Sequence, residues 1–353
     1  ISREGLTALL LDEAEAMPNV RLFFNHQCVS VDIDKKIATF VDDHSKGEVR
    51  IEGEVIFGTD GAGSSLRKSY EAHHDCDIKV SQDFLSHGYK ELHIPPTSNG
   101  GFRTHKNALH IWPRGAYMCI ALPNLDGSFT VTLFLDHNEG EYNFSMLKDP
   151  ETITHFFETE FKDLFDLMPN LVEDFFQNPT SNLGTIKCDR WYYKGNTLLM
   201  GDAAHAIVPF YGQGMNASFE DVVVLDEALE SFGDDWIKVF EKYQKDRKKD
   251  TDAIADLAID NFHEMKDHVA NPIFREKRRI EIQLEQDFPD LYFSKYALVT
   301  FNENLGYREA MLRGRAQDNF LLKKIAENST LLKGDSKELL HAVNQAGMQA
   351  INI

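Results

Sequence analysis

The stretch from Thr197 to Asn216 constrains the fold of this chain more than any other part of its sequence. It opens with an apolar run that predicts a buried strand, and Gly201 and Asp202 end that strand with a tight turn and a carboxylate. A helix is then predicted from near Gly214 to about Leu229. This helix is predicted by apolar residues that recur at helical spacing, namely Met215, Phe219, Val222, Val223 and Leu229.

The loop between the strand and this helix has the properties of a cradle for a flat ligand. Gly212 and Gly214 carry no Cβ, so a planar group can lie close to the backbone. The free N–H groups at the helix start offer partial positive charge to an electron-rich edge. Taken alone, the same pattern also fits an ordinary buried strand–loop–helix connection.

A second strand-to-helix turn lies earlier in the chain. The apolar run from Glu54 to Thr59 predicts a strand, after which Asp60 projects a carboxylate and Gly61 permits a tight turn. Ser64 is placed to cap the helix that follows. Without further context this turn is equally well explained as purely structural.

Charge and composition exclude several classes of function. The net charge of −20 at pH 7 argues against nucleic acid or an anionic membrane as the main partner. Two basic runs, residues 245–249 and 275–279, are therefore interpreted as solvated helix faces. The chain has no apolar run near the roughly 20 residues of a membrane helix and no cluster at metal-ligand spacing. Its separated cysteines favour reduced thiols in the cytoplasm.

The two turns, as GDAAHAIVPFYGQGMN from Gly201 and DGxxSxxR from Asp60, resemble the flavin motifs of the FAD-dependent aromatic hydroxylases. The opening Ser2-Arg3 pair is similar to an element of that family whose arginine reaches the FAD phosphates. The resemblance implies FAD as cofactor and NADPH as co-substrate. The residues that it implies for the cofactor are Arg3, Asp60, Gly61, Asp202, Pro209, Gly212, Gln213, Gly214, Met215 and Asn216.

Two downstream segments resemble the branch of that family that hydroxylates L-kynurenine. They are Asp260 to Val269, similar to NYxEMxxHV, and Tyr296 to Phe301, similar to YxMVTF. The resemblance implies insertion of oxygen from O2 at the ring carbon ortho to the amino group, with no side chain needed as acid or base. The residues implied for the substrate are Phe210, Tyr211, Asn261, Glu264, Met265 and Tyr296.

The expected fold class is α/β (α+β), with an inserted antiparallel sheet. Residues 1–76 and 184–232 are assigned to a Rossmann-like FAD-binding domain, and this domain is expected to be incomplete in the given sequence. Residues 77–183 are assigned to a substrate domain with the antiparallel sheet, and residues 233–353 to a helical region that completes the pocket. Within that region, helices are predicted over 236–249 and again through Ile254 to Val269.

The chain has no GxGxxG after a strand, the phosphate-binding turn of dinucleotide folds. By the resemblance, roughly a hundred residues that carry this turn are expected upstream of Ile1, and the chain alone is expected to be inactive. Two alternatives stay open. One is a hydroxylase of another aromatic compound, of the phenol or benzoate type, and the other is a non-catalytic flavoprotein fragment.

Overall fold

The computed structural model describes residues 3–265, 271–329, 332 and 334–351, without the side chains of residues 3 and 4. The Arg3 side chain and the segment 266–270, both included in the sequence predictions, therefore lie outside the described part. The chain divides into two units, residues 1–26 with 84–183 and residues 27–83 with 184–353.

The strands are β1 (His26–Asp32), β2 (Ile37–Asp42), β3 (Glu48–Glu52), β4 (Ile56–Gly58), β5 (Val80–Ile94), β6 (His110–Pro113), β7 (Met118–Pro123), β8 (Phe129–Asp136), β9 (Ser181–Cys188), β10 (Tyr192–Tyr193) and β11 (Thr197–Leu199). The helices are α1 (Arg3–Glu15), α2 (Ser65–Ala72), α3 (Pro150–Glu160), α4 (Lys162–Phe165), α5 (Leu171–Gln177), α6 (Asp202–His205), α7 (Gly214–Phe232), α8 (Trp236–His263), α9 (Pro272–Asp287), α10 (Lys295–Thr300), α11 (Tyr307–Ala326) and α12 (Ser336–Ile351). A 3₁₀ turn spans Pro209–Tyr211.

The first unit is built on the predicted antiparallel sheet, in the order β6-β7-β8-β5-β9. Gly127, in the left-handed region at φ +88°, closes the hairpin between β7 and β8. One face of this sheet shares a core with the phenylalanines of the following helices, of which Phe156, Phe157 and Phe161 are fully buried. These phenylalanines therefore form the centre of the core of the first unit.

The second unit contains two smaller sheets, β1-β2-β3 and β10-β11-β4. Strand β11 is the predicted buried strand, and it runs parallel to β4 with Leu198 opposite Phe57. Each of these strands is followed by one of the two turns identified in the sequence. Because the carboxyl ends of parallel strands meet at one edge of a sheet, the two motifs are neighbours in space although they are distant in sequence.

The helices of the second unit differ from the prediction in two respects. Residues 236–263 form one continuous helix, because they include no glycine or proline to end it. Helix α7 is confirmed, but its apolar stripe faces outward, with Val222 and Val223 each 57% exposed. The face that α7 buries carries Ala217, Asp221, Leu225 and Ala228 instead.

The basic runs are also only partly solvated. Arg247 and Lys277, one from each run, are buried in ion pairs with carboxylates on neighbouring helices. Their interpretation as solvated positions was wrong, because charge alone does not reveal that a partner faces the helix. Among the described residues, no helix is both long and apolar enough to cross a membrane.

Candidate active site

The turn after β11 is held by its backbone. Gly201 adopts φ +55° and ψ −141°, a conformation that only glycine accepts readily. Its N–H donates to Asp221 Oδ2 at 3.0 Å. This contact leaves Asp202 exposed at the start of α6, where the sequence analysis places a carboxylate toward the cofactor.

A buried charge network fixes this turn to two helices. Asp221 is fully buried and accepts from His205 Nε2 at 2.6 Å and from Arg247 Nε at 2.9 Å. Arg247 also donates to the Ala217 carbonyl at 3.0 Å. Burial alone would raise the pKa of Asp221, but its hydrogen bonds and charge contacts with His205 and Arg247 outweigh burial and lower it. The carboxylate therefore stays ionised.

The loop before α7 presents backbone rather than side chains. Gly212 is left-handed at φ +68°, and a Cβ built there meets no described atom within 4 Å. Gln213 turns its side chain inward, where Oε1 accepts from Asn216 Nδ2 at 2.9 Å and from the Tyr307 hydroxyl at 3.2 Å. The N-cap residue Gln213 does not cap α7 with its side chain, so the N–H groups of the first turn are suited to bind a ligand.

The second motif is both capped and tied to the first. Asp60 Oδ2 accepts from Ser65 N at 2.6 Å, and Ser64 Oγ accepts from Arg67 N at 3.0 Å. The structure thus gives Asp60 a capping role, and its contact with a cofactor stays a prediction. The buried Arg67 donates through Nη1 to the Ala203 carbonyl at 2.7 Å, and through Nη2 to the carbonyl of Ala62.

Aromatic side chains line the other end of the same loop. Tyr211 is buried and stacks on Tyr296, with ring centroids 5.7 Å apart and an interplanar angle of 21°. Phe210 packs on Phe262 at 4.7 Å. Asn261 Nδ2 donates to the Phe210 carbonyl at 2.7 Å, so α8 holds this aromatic loop in place. Four predicted substrate residues are therefore in direct contact as two pairs, Tyr211 with Tyr296 and Phe210 with Asn261.

The remaining two predicted substrate residues end helix α8. Glu264 and Met265 form a π-helical turn, a local widening that is frequent at functional sites. The Glu264 carboxylate, 24% exposed, pairs with Lys295. Burial raises the pKa of the Tyr211 hydroxyl well above its ordinary value. Because Lys295 is adjacent to Tyr296 in sequence, its ion pair joins Glu264 to the helix that carries the stacked ring.

Several residues that organise the site were not assigned roles from the sequence. His205 and Arg67 lie inside quoted motifs, and Lys295 immediately precedes Tyr296. The sequence signal for Asp221 was a charged residue in line with the apolar residues Ala217, Leu225 and Ala228 on one helix face. A carboxylate there predicts a buried partner.

This arrangement fits a flavin. An open left-handed glycine, uncapped N–H groups at a long helix and an exposed carboxylate after a parallel strand are together suited to a flat, polar cofactor. Gly212, Gly214, Met215 and Asn216 would lie against the ring system, with Asp202 toward the chain that joins it to the phosphates. These assignments remain predictions.

Comparison with solved structures defines the class. The tetrameric form of 2-methyl-3-hydroxypyridine-5-carboxylic acid oxygenase is similar at a TM-score of 0.59 and 20% identity, over 77% of this chain and 69% of that one. Klebsiella pneumoniae HpxO complexed with FAD and uric acid is similar at 0.58 and 16%, over 92% and 72%. A model of the FAD binding domain matches residues 162–258. The fold is that of the FAD-dependent monooxygenases.

Sequence relatives narrow the class to one family. The kynurenine 3-monooxygenase of Dictyostelium discoideum is 42% identical over 93% of this chain and 72% of its own length. That of Myxococcus xanthus is 45% identical over 91% and 68%, and that of Legionella pneumophila strain Corby is 44% identical over 91% and 70%. The chain belongs to the kynurenine 3-monooxygenase family.

Proposed function

We propose that this chain supplies the flavin cradle and much of the substrate pocket of an FAD-dependent enzyme that hydroxylates L-kynurenine. The reaction uses NADPH and O2 and places the new hydroxyl group ortho to the ring amine. Family membership supports the activity, because the relatives named for it match over most of this chain.

One observation supports the choice of substrate. The half-buried Glu264 carboxylate lies at the end of α8 and pairs with Lys295, the residue next to Tyr296, whose ring stacks on Tyr211. Kynurenine carries an aromatic ring at one end and an ammonium group at the other. An aromatic wall next to a carboxylate matches both ends, whereas a phenol or benzoate would leave the carboxylate unused.

The chain's own residues bind, orient and shield the substrate. Phe210 and Tyr211 supply an apolar surface for the ring, and Asn261 fixes the loop that carries them. Glu264 accepts from the ammonium group, which sets the depth of the ring in the pocket. A bound flavin, once reduced by NADPH, would supply the oxygen-transfer chemistry. The ring amine activates the ortho carbon, so the protein needs no acid or base at that carbon.

A panel of substrates tests the proposal directly. NADPH oxidation is measured in flavin-loaded protein with L-kynurenine, phenol and 4-hydroxybenzoate, and the products are identified by mass. We expect stimulation and a product one oxygen atom heavier with kynurenine only. Stimulation by phenol or benzoate without kynurenine turnover would establish another aromatic hydroxylase instead.

Substitution of the carboxylate is expected to affect the substrate but not the cofactor. Glu264→Gln should weaken kynurenine binding by roughly tenfold to a hundredfold, since a hydrogen bond to a charged group contributes about 1.5–3 kcal/mol. The flavin content should stay at the parent level, because the Glu264 carboxylate pairs with Lys295 of α10 and is assigned to the substrate, not to the flavin cradle. Calorimetric titration measures the affinity, and Glu276→Gln, in an exposed ion pair with Arg279, is the control.

Gly212 is expected to be sensitive to any side chain. Gly212→Ala should weaken FAD binding by about tenfold, because the new methyl group projects into the space left for the ring, and the left-handed backbone adds about 1–3 kcal/mol of strain. Gly233→Ala, at φ +59° at the other end of α7, is the matched control with strain alone. Fluorescence quenching of FAD compares the two, and equal flavin affinities would argue against this cradle.

A further inference from the structure

Glu264 is one end of a chain of alternating charges that runs through the helices of the second unit. Lys295 Nζ bonds Glu264 and also lies 2.9 Å from Asp318 Oδ2, while Lys277 Nζ lies 2.8 Å from Asp318 Oδ1. Lys277 continues the chain to Glu281 at 3.3 Å. The side chains of Lys295 and Asp318 are 8% and 9% exposed, whereas that of Glu264 is 24% exposed.

The fold makes a specific space for Lys295. Gly314, in the middle of α11, lies so close to it that a Cβ on the glycine would come within 2.6 Å of Lys295 Cγ and 2.9 Å of its Cα. A glycine inside a helix costs about 1 kcal/mol relative to alanine. Lys295 also begins α10, where the helix dipole disfavours a cation. Two locally unfavourable features, a glycine within α11 and a cation at the start of α10, therefore accompany the position of this ammonium group between two carboxylates.

We propose that Lys295 is a positioning residue for ligand specificity: it holds the Glu264 carboxylate in the direction that receives the ammonium group of an α-amino acid substrate. Asp318 pairs with the same ammonium group, so Lys295 does not fully compensate the negative charge of Glu264. This inference rests on the proposed function, because it assigns the ammonium end of kynurenine to Glu264.

Electrostatics explains why the lysine orients the carboxylate instead of blocking it. Burial alone would lower the pKa of Lys295, but Asp318 and Glu264 raise it, so the group remains charged. Without it, Glu264 and Asp318, which now share one ammonium group, would face each other as like charges. Such carboxylates turn apart or retain a proton. In either case Glu264 would lose the fixed, ionised form that a second ammonium group requires.

Two ligands that differ only in the α-amino group separate positioning from general damage. One is L-kynurenine, and the other is its des-amino analogue, in which hydrogen replaces that group. Both are titrated into flavin-loaded protein by calorimetry. The parent should prefer kynurenine, and Lys295→Met should weaken kynurenine about tenfold while the analogue changes less than about twofold.

A second variant covers the case in which Lys295→Met does not fold. Gly314→Ala keeps every charge but displaces the lysine stem, and we expect the same selective loss of kynurenine. In Glu264→Gln protein, adding Lys295→Met should cause no further loss, because both changes act on one contact. Control variant Arg279→Gln, in an exposed pair on α9, should bind both ligands as the parent does.

The outcomes are distinguishable. Equal weakening of both ligands in Lys295→Met and Gly314→Ala would make Lys295 a structural residue, and unchanged kynurenine affinity would exclude any role; either result overturns the inference. A parent protein that binds the two ligands equally well would instead overturn the assignment of the ammonium group, and with it the proposed substrate site.

Discussion

Asp221→Asn is expected to lower the free energy of unfolding by about 3–5 kcal/mol, the usual cost of breaking a buried ion pair from one side. The two oxygens of Asp221 accept from three donors, the Gly201 N–H, His205 Nε2 and Arg247 Nε. An asparagine has one oxygen, so its NH2 group must face a donor whichever way it turns. The buried Arg247 charge also loses its main partner.

Chemical denaturation with a matched control measures this effect. Glu220 binds the same arginine, through Nη1 at 2.7 Å, but its side chain is 49% exposed. Glu220→Gln should therefore cost less than about 1 kcal/mol. Similar losses in the two variants would mean that burial does not determine how much this ion-pair network contributes to the free energy of unfolding. FAD affinity should fall in Asp221→Asn as well, because Asp221 holds the Gly201 turn.

The cost of Asp221→Asn should also depend on pH, in a direction set by the lowered pKa. The folded pKa of Asp221 lies below its ordinary value of 3.8. A carboxylate of this kind contributes stability above the unfolded pKa, and the contribution disappears as pH falls through the folded pKa. The difference between the parent and Asp221→Asn should therefore be constant near neutral pH and shrink in acid. Unfolding at a series of pH values tests this.

Local structure was largely predictable from the sequence, because local features determine it. The apolar run at Thr197–Leu199, the glycines of both turns and the Ser64 cap each act within a few residues. The antiparallel sheet and the phenylalanine core follow from the same short-range patterns. The family motifs then added the cofactor and the pocket residues, which no periodicity could supply.

The charge networks could not be predicted, because their members are distant in sequence. Arg247 lies 26 positions from Asp221, and Lys295 lies 31 positions from Glu264. From the sequence, Arg247 was interpreted as solvated and Lys295 had no assigned role, and only the packing of helices shows which carboxylate each one meets. For the same reason, the outward stripe of α7 was not foreseen, since helical spacing does not state which side is covered.

Arg67 hydrogen-bonds to the backbone of both flavin motifs, so its loss should affect both. The guanidinium group bridges the carbonyls of Ala203, beside Asp202, and of Ala62, beside Gly61. Arg67→Met removes both bonds. The buried Ala203 carbonyl then loses this donor, at about 1–3 kcal/mol, whereas the carbonyl of the exposed Ala62 can bond water. We therefore expect a loss of roughly 1–3 kcal/mol in the free energy of unfolding.

Flavin affinity should fall further than stability in this variant. A displacement of about 1 Å in a positioned group can cost on the order of a hundredfold, and Arg67→Met frees two cofactor turns together. Arg67→Lys should recover only part of the affinity, because an ammonium group lacks the planar fork that bridges two carbonyls. Lys68→Ala, at the exposed neighbouring position, is the control. If folded Arg67→Met binds FAD as tightly as the parent, the two motifs do not form one site, since a side chain that bonds both turns would then be dispensable for the cofactor.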